Sequence, residues 1–289
     1  MKNFFRQGIK RIVKNGASPH ADGGRRGTVI AVSSLKGGVG KSTTTVNLGA
    51  ALARFHGKKT LLVDLDPQGH VETSLLAQVN AGEADARGRL LSQILTAEPP
   101  LQILEGATST KIEGLHVTRS DAKLAEAENL IGTRIGKEMI LKDALEVTRT
   151  HFDVVLIDCP PNMGNLTANA LVACNWLLVP CDLSTLSLRG VDGLMGQCQE
   201  IARRLNPNLD LLGIVVTRYD GRTASMNQQV LSSLEERYGE LLLEPRIGIN
   251  TSLVKAQNIG KDIFEYAPQS RGAEHYRGLA DTLMGRAKL

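Results

Sequence analysis

The sequence predicts an α/β fold: a mainly parallel, twisted sheet with helices on both faces. Three observations lead there. Short apolar runs alternate with longer helical stretches over most of the chain, and runs of about four to eight such residues fit strands buried on both faces. A glycine-rich loop joins the first strand-like run to the first helix-like one. Two later runs end in aspartates, at the strand ends where open α/β sheets form their ligand crevice.

Taken in order, the chain opens with a basic tail, residues 1–26. Lys2, Arg6, Lys10, Arg11, Lys14, Arg25 and Arg26 stand there against one acid, Asp22, so the tail more than accounts for the net charge of +4. The rest of the chain is slightly acidic, and its bulk charge gives no support to polyanion binding without a local patch. Over residues 1–15, Phe5, Ile9, Ile12 and Val13 share one helical face, with Lys10, Arg11 and Lys14 turned away. Gly8 falls in the middle of this short basic amphipathic helix and weakens it by ~1 kcal/mol. Docking on a partner protein, binding an anionic membrane surface, binding DNA directly and serving only as a solubilising arm all remain open for it.

Residues 27–289 are expected to form a single domain. Strands are expected at Thr28–Val32, Thr60–Asp64, Leu115–Thr118, Val154–Asp158, Trp176–Pro180 and Leu211–Thr217. Helices are expected at Ser42–Phe55, Lys137–Thr150, Val191–Leu205 and Ala224–Tyr238. The weakly patterned stretch Gly82–Gly114 reads as a surface insertion with one or two short helices. A chain of 289 residues is long enough for such a domain with a substantial core. Aromatic residues make up 3%, which argues against a base-stacking surface for single strands. No apolar run approaches the ~20 residues of a membrane span, and the N-terminus lacks the apolar stretch of a secretory signal. A cytoplasmic location is therefore expected. Cys159, Cys174, Cys181 and Cys198 form no CxxC pair and read as buried, reduced thiols, with a metal or iron–sulfur site as the alternative.

The segment Ser34-Leu35-Lys36-Gly37-Gly38-Val39-Gly40-Lys41-Ser42-Thr43 lies between a strand and a helix, the setting of a phosphate-binding loop. Glycines allow successive N–H groups to point inward at phosphates. Lys41 is placed to neutralise the β and γ oxygens and the Ser42 hydroxyl to ligate Mg²⁺, while the following helix adds its N-terminal dipole. ATP and Mg²⁺ are the expected cofactors, held by Gly37, Gly38, Val39, Gly40, Lys41, Ser42 and Thr43. Leu61-Leu62-Val63-Asp64-Leu65-Asp66-Pro67-Gln68-Gly69 ends a buried strand in two acids beside that loop. Val154–Asp158 has the Walker B pattern of four apolar residues and an acid, so Asp158 is expected to hold Mg²⁺ through a water.

The run Lys36–Ser42 matches KGGxGK[ST], and the chain thereby resembles the ParA/MinD family, the P-loop NTPases of the deviant Walker A kind. The resemblance covers residues 28–285. It implies that Lys36 reaches across a nucleotide sandwich dimer to the partner's phosphates, as an arginine finger does. It also implies that Asp66 positions or activates the attacking water and that Asp64 belongs to the Mg²⁺ shell. The segment Asp64–His70 is similar to the family's DxDPQGN, with His70 in place of asparagine. Pro160–Gly164 would be a loop ordered by the γ-phosphate. Val216–Arg222 would lie near the adenine, where Arg218 would border or stack on the base or else serve the surface. Ser270–Glu274 and Tyr276 resemble the family's C-terminal pattern.

The same resemblance implies a slow ATPase that forms a homodimer with ATP, binds nonspecific DNA on the nucleoid and positions or segregates cargo. A cargo-linked activator would stimulate hydrolysis. The other reading is a membrane-associated spatial regulator of the MinD or flagellar-number type, attached through residues 1–15. Glu244–Asn250 departs from the family pattern after its Pro-Arg, which removes basic residues that would hold DNA. Arg203, Arg204, Arg222 and Lys255 are the candidates for a substitute patch.

Overall fold

The computed structural model describes residues 26–80, 88–119, 121–221 and 224–289, with backbone alone for 224–227. Eight strands, β1 (Thr28–Val32), β2 (Thr60–Asp64), β3 (Ala107–Ser109), β4 (Leu115–Thr118), β5 (Val154–Asp158), β6 (Trp176–Cys181), β7 (Asp210–Val216) and β8 (Leu242–Leu243), form one sheet. Their spatial order is β3-β4-β2-β5-β1-β6-β7-β8. Every pairing is parallel except the edge pair β3–β4. The expected sheet is therefore present, and the basic residues 1–15 lie outside the described residues.

The continuous apolar runs of the inner strands divide between two cores by simple alternation. Val29 and Ala31, with Leu61, Val63, Val155 and Ile157, face one core. Ile30 and Val32, with Leu62, Val154 and Leu156, face the other. The second core is covered by α1 (Lys41–His56), which returns the chain from β1 to β2. After α2 (His70–Ser74), α3 (Leu91–Thr96), α4 (Leu124–Gly132), α5 (Ile140–Ala144), α6 (Asn165–Ala173), α7 (Thr185–Arg204) and α8 (Ala224–Tyr238), the chain ends in α9 (Thr251–Asn258), α10 (Ile263–Tyr266) and α11 (Arg271–Ala287). Helices α9 to α11 share the face of α1, whereas α3 to α8 cover the opposite face. Tyr276 of α11 is fully buried, and its hydroxyl lies 3.2 Å from the Thr44 hydroxyl of α1. Among the described residues no helix is long and apolar enough to cross a membrane.

Three expectations need correction. The helix expected over Lys137–Thr150 is α5 alone, flanked by 3₁₀ turns at Lys137–Met139 and Thr148–Thr150. Side chains from elsewhere divert its backbone bonds: Gln102 accepts from the Val147 N–H at 3.0 Å and donates to the Asp143 carbonyl at 3.1 Å. Thr148 in turn accepts from the Leu104 N–H at 3.0 Å. Of the stretch expected at 82–114, the described residues 88–114 are not merely a surface insertion, because Leu91, Ile94 and Ile103 are wholly buried in the first core and β3 extends the sheet. Finally, α7 starts at Thr185 rather than Val191, because Ser184 caps it by accepting the Ser187 N–H.

All four cysteines are buried, and burial pushes each thiol above its usual range. Asn206 joins two secondary elements on that side: its amide donates to the carbonyls of Leu171 and Cys174 at 2.9 and 2.7 Å. Asn206→Ala would deprive both buried acceptors of this donor, leaving the Leu171 carbonyl only the weak Cys174 thiol at 3.7 Å. A loss of roughly 2–3 kcal/mol in unfolding free energy is expected, measured by urea denaturation with an unchanged m-value.

Candidate functional site

The site is built where β1, β2 and β5 end side by side. Register places Val32 beside Asp158 and Asp158 beside Asp64. The loop that leaves β1 turns through Gly38 and Gly40, at φ +73° and +87°, conformations open to glycine and strained for other residues. Gly40 then caps α1. Val39 is fully buried, while Gly37 and Gly38 remain exposed. Leu35, which stands where the general phosphate-loop pattern has glycine, fits against Gly190 and Gly193 of α7. A Cβ at Gly190 or Gly193 would meet Leu35 at 4.0 or 3.5 Å, ordinary van der Waals contact.

Asp64, Asp66 and Asp158 come together, each nine-tenths or more buried. Burial raises the Asp64 carboxyl well above its ordinary range, and the neighbouring charge of Asp158 adds to the effect. Burial likewise raises Asp158, to about 7, against the lowering influence of the Ser42 hydrogen bond and the Lys41 charge. Asp66 also raises both through its own charge. Asp64 organises the loop after β2: one oxygen accepts the Asp66 N–H at 3.1 Å, the other the Val71 N–H at 2.9 Å. Asp66 accepts the Gln68 N–H at 3.0 Å. Asp158 accepts weakly from Thr45 at 3.4 Å, and its Oδ2 is a buried atom with no hydrogen-bond partner.

An orphaned carboxylate oxygen beside two further acids and one buried lysine is a site short of positive charge. A hard divalent cation fits that donor set, with its remaining positions taken by water and phosphate oxygens. The Ser42 hydroxyl and Asp158 are the groups placed to face it.

Lys36 does not point into its own loop. Its ammonium pairs with Asp182 at 2.5 Å and donates to the Ser184 hydroxyl at 3.0 Å, just beyond the end of β6. Burial would raise the Asp182 carboxyl, but bonds from Lys36, Ser187 and Ser184 outweigh it and hold the group below its usual range. The Arg218 side chain reaches the loop from the other side, where it donates to the Gly38 carbonyl at 3.1 Å.

Sequence reasoning missed Thr45, Thr217, Asp182 and Ser184. The signal for Asp182 was present, since it too is an acid just past a buried strand. The basic residues proposed as a patch do not assemble. Arg203 and Arg204 belong to α7 and both pair with Glu200, whereas Lys255 lies on α9, across the sheet. Arg222 lies outside the described residues.

A family model described as an AAA domain matches residues 27–211. The chain is 39% identical to the chromosome-partitioning ATPase Soj of Thermus thermophilus, over 90% of this chain and 96% of that one. It is 35% identical to the chromosome partitioning protein ParA of Caulobacter vibrioides, over 90% and 95% respectively. Among solved structures, cobyrinic acid a,c-diamide synthase from Mycobacterium smegmatis with bound ADP and magnesium superposes with a TM-score of 0.74 at 35% identity. That match covers 91% of this chain and 96% of the other. The phosphate-type loop, the three carboxylates around it and these likenesses along nine-tenths of the sequence agree: the chain belongs to the ParA/MinD family of ATPases.

Proposed function

We propose that this chain, with residues 27–289 as one ATPase unit, uses ATP and Mg²⁺ to close two copies face to face. The closed dimer binds nonspecific DNA and positions or segregates a cargo, whose partner protein stimulates hydrolysis. The observation that carries the reading is Lys36: its ammonium is held away from its own loop by Asp182 and Ser184, so it is not spent on the phosphates of its own subunit. Support for the nucleotide comes from the M. smegmatis relative, solved with ADP and with an ATP analogue, each with magnesium. Support for the partitioning role comes from the Soj and ParA relatives.

In this reading the amides of Gly37–Thr43 and the Lys41 ammonium bind the phosphates. Ser42 and Asp158 hold Mg²⁺, and Asp64 steadies the site from its outer shell. Magnesium supplies charge neutralisation at the β and γ oxygens. Asp66, anchored by its bond to the Gln68 amide, orients the attacking water. Asp182 keeps Lys36 at home until a second copy offers its phosphates.

The test is DNA binding by Asp66→Ala protein, which retains ATP. With ATP it should bind nonspecific DNA and lose that affinity steeply as salt rises; with ADP it should bind weakly. Equal binding in both nucleotide states, or none in either, would remove DNA as the surface that the dimer recognises.

A further inference from the structure

Just beyond the end of β7 at Val216, the backbone takes a conformation that the residue type there disfavours. Arg218 has φ +52°, and among the described residues only Lys288, at the end of the last helix, is another non-glycine residue with positive φ. Such strain persists where the surrounding structure over-determines it, and it clusters at working sites. The neighbouring bonds show what the kink accomplishes. The Thr217 N–H donates to the Cys181 carbonyl at 2.9 Å, toward β6. Tyr219 pairs instead with the segment 247–249, donating to the Ile247 carbonyl and accepting from the Ile249 N–H, each at 3.0 Å. The Val216 carbonyl already accepts from the Ile247 N–H at 2.8 Å, so the change at Arg218 is in the alternation of the bonds: Tyr219 faces the segment that Val216 faces, where strict alternation would turn it toward β6.

At that change, two successive side chains meet the phosphate loop. The Thr217 hydroxyl donates to the Val39 carbonyl at 2.7 Å in a buried bond, and Arg218 donates to the Gly38 carbonyl at 3.1 Å. A loop whose N–H groups converge on phosphates must direct its carbonyls elsewhere and satisfy them there. We propose that Arg218 is a positioning residue: with Thr217 it straps the loop from behind and fixes the amide cradle for a triphosphate chain, whatever base that chain carries. This rests on reading the loop as a nucleotide-phosphate site. It differs from contact with the adenine, because its effect passes through Gly38 and not through the base.

The two roles separate when the base is removed. Wild type and Arg218→Ala are titrated with Mg²⁺-ATP and with Mg²⁺-tripolyphosphate, which has a phosphate chain and no base. Arg218→Ala should weaken both by a similar factor, roughly three- to tenfold, the size of one lost exposed hydrogen bond. The guanidinium is exposed, so the variant should fold. Arg218→Gly, which also relieves the backbone strain, should show the same binding loss with a higher unliganded Tm than Arg218→Ala. Weaker ATP binding with unchanged tripolyphosphate binding would place Arg218 on the base and overturn the proposal, as would no change in either. Wild-type protein that bound neither compound would instead overturn the phosphate-site reading on which the proposal stands.

Discussion

Lys36→Ala should abolish the ATP-dependent dimer and lower hydrolysis by at least about a hundredfold, the scale of losing one preorganised group at the transferring phosphate. The fold itself should hardly change. The Lys36–Asp182 pair is partly exposed on both sides, and ion pairs of that kind contribute about 1 kcal/mol or less. Binding of ATP to the single subunit should also survive, because the amides of Gly37–Thr43 and the buried Lys41 remain in place. That separation is the informative part: intact nucleotide binding with lost dimerisation and lost turnover. Size-exclusion chromatography with ATP, beside a phosphate-release assay, reads all three quantities. Asp182→Ala should act in the opposite sense by freeing the lysine, and dimers should then form at severalfold lower protein concentration.

Asp158→Asn should have two effects of opposite sign. Mg²⁺-dependent hydrolysis should fall by two to three orders of magnitude on the scale of removing one such electrostatic group, because the amide lacks the charge that holds the cation. The nucleotide-free protein should nevertheless become more stable above neutral pH. Asp158 is wholly buried and its carboxyl is raised to about 7, so the native state holds a proton that the unfolded state releases. Stability must then fall as pH rises from the unfolded value near 4 through that raised value. Replacing the acid by asparagine removes this dependence. A gain of roughly 1–3 kcal/mol at pH 8 is expected, together with a flatter profile of Tm against pH in chelator-treated protein. Equal Tm profiles for the two proteins would show that the buried charge is already compensated.

These effects trace back to features of unequal visibility in the sequence. The inner strands were legible because strands buried on both faces leave continuous apolar runs, and Thr28–Val32, Thr60–Asp64, Leu115–Thr118 and Val154–Asp158 have the expected bounds. The glycine loop between β1 and α1 was legible because one contiguous segment carries its turn residues and the start of the helix. What was hidden depends on distant partners. Helix α5 is short because Gln102 takes the Val147 N–H and the Asp143 carbonyl, whose mutual bond would have continued it. Asp182 gains its meaning from Lys36, 146 positions away. Arg218 reaches Gly38 only because the chain kinks at φ +52°, which composition does not reveal. Arg203 and Lys255 look like partners in a charge count, yet the sheet stands between them.

The account's central claim is that each Lys36 serves the other subunit, and mixing two inactive variants tests it most directly. Lys36→Ala protein keeps Asp66 but cannot supply the lysine; Asp66→Ala protein supplies the lysine but cannot orient the water. If Lys36 acts across the interface, each mixed dimer contains one complete site. An equimolar mixture should then recover hydrolysis in proportion to the mixed dimers that form, at about half the wild-type rate per mixed dimer, since one of its two sites is complete. A mixture as inactive as its two components, under conditions where mixed dimers demonstrably form, would show that Lys36 acts within its own subunit and would contradict the account.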